Sequence, residues 1–180
     1  MKKALIIIDI QNDYFSGGTM ELVDIDTTLQ NTNKLIKYAR LQEYKIYFIQ
    51  HISLNHGATF FLPNTHGCEL NDSLDRQGET IIKKNYPNSF RDTNLLDELK
   101  QNNLNELVIC GAMTHMCVDS TVRAGFDLGY KITLANDACA TKDLKFNDTT
   151  IKAQDIQNSF ISALGGVFCE TKSTTEIIKQ

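Results

Sequence analysis

The stretch Ala4-Leu5-Ile6-Ile7-Ile8-Asp9 decides the fold. Its apolar run is continuous rather than alternating, rich in β-branched side chains and closed by a carboxylate, the pattern of a strand buried on both faces. Such strands belong to parallel sheets covered by helices on either side. Working outward, Leu29, Ile36, Ala39 and Leu41 recur at near-helical spacing over 27–41, and Ile46-Tyr47-Phe48-Ile49 offers a second strand within Lys45–Gln50. The segment from His51 to Gln77 carries Gly57, Pro63, Asn64, Gly67 and Asp72 and is too long for a simple connection. It is expected to be a functional loop or lid. Thr80–Lys83 reads as a third strand, Pro87-Asn88 as a turn, and Asp92 or Thr93 as the cap of a helix reaching Lys100. Glu106–Cys110 gives a fourth strand ending at Gly111, and Thr114–Leu128 a helix stopped by Gly129. A strand over Lys131–Ala135, a helix over Asn147–Leu164 closed by Gly165-Gly166, a strand over Val167–Cys169 and a helix over Thr174–Lys179 complete the pattern. The alternation predicts an α/β protein: a three-layer sandwich with a six-stranded, mainly parallel sheet, in one domain spanning 1–180.

Composition narrows the function classes. With 180 residues, 42% hydrophobic and 22% charged, the chain has the make-up of a globular domain. At that length it buries about 70% of its unfolded surface and needs no disulfide or structural metal to hold a core. The net charge of −4, with no basic stripe, argues against a nucleic-acid partner. The apolar run behind Met1-Lys2-Lys3 is ended early by Asp9 and Gln11, so export is not expected, and no run is long enough to span a membrane. Cys68, Cys110, Cys117, Cys139 and Cys169 are scattered, without a CxxC pair or zinc-ligand spacing, which fits a reducing cytoplasm.

In parallel sheets ligands gather at the carboxyl ends of the strands, so the residues just beyond each apolar run bear the chemistry. Asp9 closes the first strand, Lys83 and Lys84 the third, and Cys117 falls in the first turn of the helix after the fourth. A carboxylate, an ammonium and a thiol there make a base, a charge stabiliser and a nucleophile. A helix N-terminus is expected to lower the Cys117 thiol pKa. Each residue also has a plainer reading: a small buried side chain for Cys117, a turn former for Asp9, a solvated strand end for the lysines. Lys83 and Lys84 face opposite sides of a strand, so only one of them points at the site, and alternation alone does not say which.

Three segments together carry a family resemblance: Ala4-Leu5-Ile6-Ile7-Ile8-Asp9-Ile10-Gln11-Asn12-Asp13-Tyr14-Phe15; Lys84-Asn85-Tyr86-Pro87-Asn88-Ser89-Phe90 with Thr93 and Leu95; and Gly111-Ala112-Met113-Thr114-His115-Met116-Cys117-Val118 with Thr121. In this order the chain resembles the isochorismatase-like cysteine hydrolases, a group that includes nicotinamidases and N-carbamoylsarcosine amidases. The resemblance implies an isochorismatase-like, Rossmann-like fold. It implies Cys117 as nucleophile, Asp9 as general base and Lys84, rather than Lys83, as the cation. It also implies a cis peptide between Ala112 and Met113, with the backbone N–H groups of Met113 and Cys117 forming an oxyanion hole. The implied reaction is hydrolysis of a C–N bond in a small amide, carbamoyl or ureido substrate through a thioester.

Family members that cleave a vinyl ether lack the cysteine, so Cys117 favours C–N hydrolysis. The nicotinamidases' metal-binding Asp-x-His is replaced by Gln50-His51-Ile52-Ser53, so neither a metal nor another cofactor is expected and nicotinamide becomes the alternative substrate. His51, His56 and His66 lie at no standard metal spacing. Tyr14, Phe15, Tyr86, His115 and Met116 flank the triad and are the candidate pocket walls. A homodimer or homotetramer is implied by the resemblance alone. A dinucleotide-binding reading lacks its glycine-rich turn after the first strand, and a phospho-receiver reading needs an aspartate where Lys84 stands. A non-catalytic or thiol redox-sensing member of the fold is the alternative from another class.

Overall fold

The computed structural model of the chain describes residues 2–179, leaving Met1 and Gln180 of the expected domain outside the description. Six strands run parallel: β1 (Lys3–Ile8), β2 (Lys45–His51), β3 (Thr80–Lys84), β4 (Glu106–Ala112), β5 (Lys131–Ala140) and, after a hairpin, β8 (Glu170–Lys172). Their spatial order is β3-β2-β1-β4-β5-β8, so the chain leaves β1 in one direction and returns on its other side at β4. That reversal opens a crevice at the strands' carboxyl ends, where ligands collect in open α/β sheets.

Alternation along β1 divides the core in two. Leu5 and Ile7 join Phe48, Val108 and Cys110 against Leu35, Ile36 and Ala39 of α1 (Ile25–Leu41) and Ile177 of α5 (Thr174–Ile178). Ala4, Ile6 and Ile8 join Tyr47, Ile49 and Ile109 on the opposite face. There they meet Leu95 and Leu99 of α2 (Leu95–Gln101), Val122 of α3 (Asp119–Asp127) and Leu164 of α4 (Ala153–Gly165). This is the expected three-layer arrangement, with burial of each large side chain contributing about 1.5–3 kcal/mol.

Gly111 sits at φ +123° where β4 passes β1, and a Cβ there would overlap the backbone of Ile8. At this point of the crevice only glycine fits, because its backbone conformation aims the Cβ direction at the neighbouring strand.

Four local expectations are corrected. The N-terminal part of the helix expected over 147–164 is a β-hairpin, β6 (Leu144–Phe146) and β7 (Thr149–Ile151), turning through Asn147 at φ 53° and Asp148. A two-residue Asn-Asp loop followed by Thr149-Thr150 is hairpin chemistry, and the helix begins only at Ala153. The segment expected as a strand at Val167–Cys169 is a helix-ending turn, because the N–H groups of Val167, Phe168 and Cys169 all return to the carbonyl of Leu164. Asn94, rather than Asp92 or Thr93, occupies the N-cap position of α2, without a side-chain cap bond; Thr93, one residue earlier, accepts from the Leu95 N–H at 3.3 Å while donating its hydroxyl to the Ser89 carbonyl at 2.6 Å. Finally, β5 continues to Ala140, accommodating an irregularity opposite Ile109–Gly111.

Candidate active site

The register of β2 with β3 pairs His51 with Lys84, and neighbours in register project from the same face of a sheet. Lys84 is 1% exposed whereas Lys83 is exposed, so Lys84 is the lysine that turns inward. Asp9, fully buried, follows β1 in a left-handed conformation at φ 51°, and its N–H donates to the carbonyl of Ile49 at 3.1 Å. The Lys84 ammonium lies 2.8 Å from Asp9 Oδ2.

This contact is close but poorly directed: neither oxygen of the Asp9 carboxylate receives an aligned hydrogen bond. The ammonium's donors are used elsewhere, on His51 Nδ1 at 3.1 Å, the Tyr86 carbonyl at 3.1 Å and the Pro87 carbonyl at 3.3 Å. Burial pulls the Lys84 pKa down, but Asp9 and Cys117 outweigh it and hold the group above the ordinary lysine value.

Cys117 lies within the one-turn π-helix Thr114–Val118, in which the Val118 N–H reaches the carbonyl of Met113 at 3.2 Å. The regular helix expected from Thr114 begins only at Asp119. Local π turns of this kind are frequent at functional sites. One donor atom each from Asp9, His51 and Cys117 lies within 4.8 Å of the other two. The expectation of a lowered thiol pKa is overturned: burial, reinforced by Asp9 and only partly opposed by Lys84, pushes Cys117 up to about 12. The resting group is a thiol. The peptide between Ala112 and Met113 is cis.

A carboxylate, an imidazole and a thiol are also zinc-type ligands. Here the set does not suit a metal, because a buried ammonium already stands beside two of the three donors. His66 pairs with Glu69 at the surface, and His56 is exposed in the loop.

Of the candidate pocket walls, Tyr14 and Tyr86 are tied to the cluster, Tyr14 by its ring and Tyr86 by its main chain. The Tyr14 hydroxyl pKa is raised well above the usual phenol value by burial first, then by Cys117 and Asp9, and its ring packs 4.6 Å from that of Phe61. Phe15 is packed into the α1-side core. Tyr86 contributes its carbonyl to Lys84 while its half-buried ring lies 3.6 Å beneath the Arg91 guanidinium. His115 is engaged by Thr141 at 2.6 Å and by the edge of Phe160, and Met116 is 42% exposed.

Sequence reasoning missed the supports. The Gln11 side chain donates to the His51 and Cys68 carbonyls at 2.8 and 2.7 Å and accepts from the His51 N–H at 2.7 Å, clamping the end of β2. Asp13 accepts from the N–H of Phe61 at 2.6 Å, and a Cβ at Gly67 would overlap its carboxyl group. The loop 52–79 is thus tied down rather than free, and it brings Phe61 to 6.0 Å from the His51 ring. The polar run Gln11-Asn12-Asp13 directly after an apolar strand was the available signal. An open cleft of about 410 Å³ lined by Thr28, Asp137, Thr141 and Gln157 lies elsewhere and includes none of Asp9, Lys84 and Cys117.

A doubly covered parallel sheet with a buried carboxylate, ammonium and thiol at its switch point defines an α/β protein of the hydrolase type. The chain belongs to the isochorismatase family, whose domain model matches residues 3–163. It is 41% identical over 180 residues to the isochorismatase family protein YddQ of Bacillus subtilis, covering 99% of this chain and 100% of that one. It is 32% identical over 145 residues to the streptothricin hydrolase of Streptomyces noursei, covering 79% of this chain and 56% of that one. The crystal structure of a protein from Oleispira antarctica described as an isochorismatase hydrolase superposes with a TM-score of 0.95 at 40% identity, covering 99% and 97% of the two chains. Among the described residues no helix is long and apolar enough to cross a membrane.

Proposed function

We propose that this isochorismatase-family hydrolase cleaves a C–N bond in a small amide, carbamoyl or ureido substrate, with Cys117 as nucleophile, Asp9 as proton carrier and Lys84 as the compensating cation. The observation that carries this reading is the mutual approach of the Asp9, His51 and Cys117 donor atoms within 4.8 Å, with the Lys84 ammonium 2.8 Å from Asp9. Because the thiol is protonated at rest, its proton moves to the Asp9 carboxylate as sulfur attacks the carbonyl carbon. The carbonyl π electrons pass to oxygen, and the N–H groups of Met113 and Cys117 receive the oxyanion. Losing one such donor costs on the order of 10²–10³ in rate in comparable sites. When the intermediate collapses, the C–N bond breaks, the amine leaves with the proton from Asp9, and a thioester remains. Water then gives a proton to Asp9 and its oxygen to the acyl carbon, and the thiol is restored as the acid departs.

Ammonia or amine release from a panel of amides, carbamoyl and ureido compounds, nicotinamide included, tests the reading. Turnover is expected to vanish in Cys117→Ala and to survive a chelator. Turnover that persists in Cys117→Ala excludes the thiol mechanism. Sedimentation of the purified chain checks the homodimer or homotetramer that completes the proposal.

A further inference from the structure

An ammonium has three protons, and here they are directed to three acceptors: His51 Nδ1, the Tyr86 carbonyl and the Pro87 carbonyl. The Asp9 carboxylate, fully buried and adjacent, receives charge stabilisation but no aligned hydrogen bond. Buried polar atoms are normally satisfied, so a carboxylate with both oxygens open calls for an explanation. A hydrogen bond donated to a carboxylate favours its charged form and weakens it as a base, whereas a nearby unaligned cation permits burial at a smaller loss of basicity.

We propose that His51 is a positioning residue: by accepting one Lys84 proton at Nδ1, it completes the acceptor set that holds the ammonium beside Asp9 without hydrogen-bonding it, leaving both carboxylate oxygens open to the Cys117 proton. This rests on the cysteine-hydrolase reading and adds to it a residue outside the triad. The local construction supports the role. Register places His51 alongside Lys84, the Gln11 side chain clamps the His51 main chain at both its N–H and its carbonyl, and the Phe61 ring packs near the imidazole. The charged and titratable groups facing the imidazole are Lys84 from β3, Asp9 after β1 and Cys117 from the π turn. Since an ammonium only donates, Nδ1 must be unprotonated and the neutral ring carries its proton on Nε2. Burial, then the Lys84 charge, depresses the His51 pKa to about 4, which keeps that acceptor available at neutral pH.

The test needs no substrate. Alkylation of each cysteine by iodoacetamide, followed by peptide mass spectrometry as a function of pH, is compared in wild type, His51→Leu and His51→Asn. Asn places an amide oxygen close to where Nδ1 stands, whereas Leu offers no acceptor. His51→Leu is expected to slow Cys117 alkylation at neutral pH by about tenfold, the effect of one pKa unit of carboxylate basicity. His51→Asn should recover most of that loss. A His51→Leu protein that folds and alkylates Cys117 within about threefold of wild type, less than half a pKa unit, overturns the proposal. An Asn variant as slow as the Leu variant does the same. Imidazole ¹⁵N resonances of wild type give an independent decision should the Leu variant not fold: an Nε2–H tautomer is expected, and an Nδ1–H tautomer overturns the role. If wild-type Cys117 reacts no faster than Cys68, the nucleophile reading fails, while the tautomer still decides whether His51 accepts from Lys84.

Discussion

Asp9 and Lys84 sit opposite each other without solvent, so each is tolerable only because of the other. Removing one partner of a buried ion pair leaves an uncompensated charge and typically costs about 3–5 kcal/mol. Lys84→Met is therefore expected to lower the free energy of unfolding by that amount and to abolish turnover, with equilibrium urea unfolding as the check. A loss below about 1 kcal/mol, the range of exposed pairs, would mean that water reaches the carboxylate. Asp9→Asn keeps the shape but removes the proton carrier, so turnover should fall by roughly 10²–10⁴, the span of general acid–base catalysis. Single-turnover kinetics would locate that loss in acylation, because the thiol, held near 12 by burial, has nowhere else to send its proton. Asp9 and Cys117 stood out in the sequence because one directly follows an apolar strand and the other opens the next element, whereas Lys84 was told from Lys83 only by the family resemblance, since both close the third strand. The protonation state of Cys117 could not be read there, since local position suggested a helix N-terminus and tertiary burial determined the outcome.

At the scale of elements, the site depends on the backbone path of β4 beside β1. A methyl group at Gly111 has no room against the Ile8 backbone, and φ +123° disfavours any other residue. Gly111→Ala should therefore destabilise the fold by more than about 3 kcal/mol, beyond the usual cost of a strained backbone alone, as measured by urea unfolding. A neutral result would show that the two strands separate easily. The sheet itself was legible, because long apolar runs separated by periodic helices admit few topologies. Element ends were less so: the Asn147-Asp148 turn was overridden in the reading by helical spacing further on, and the turn at Val167–Cys169 carries strand-like residues whose N–H groups the Leu164 carbonyl captures. The supports from Gln11 and Asp13 act across 40 and 48 residues of chain, so the polar run after the first strand marks their presence but not their partners.

For the whole molecule, several titrating groups bias stability in the same direction in acid. His51 is half-buried as a neutral ring with its pKa depressed to about 4, by desolvation first and then by Lys84, whereas an unfolded histidine titrates near ~6.5. The unfolded chain therefore binds this proton first, and folding free energy falls as pH drops through that window. His115, depressed by burial and then by Lys142, acts in the same sense. Asp75, held low by its hydrogen bond from Arg40, contributes stability above the ordinary carboxylate pKa that is lost further into acid. On the alkaline side Lys84 has the opposite sign: its raised pKa contributes stability that is present below the ordinary lysine value and lost as pH rises through the folded one. Thermal unfolding across pH should show a plateau around neutrality with an acid limb that begins before carboxylates titrate. In His51→Asn, which retains an acceptor but cannot titrate, the upper part of that limb should flatten while the carboxylate-driven part below about 4 persists. Superimposable curves for the two proteins would mean that His51 titrates alike folded and unfolded, and so that solvent reaches the ring beside Lys84.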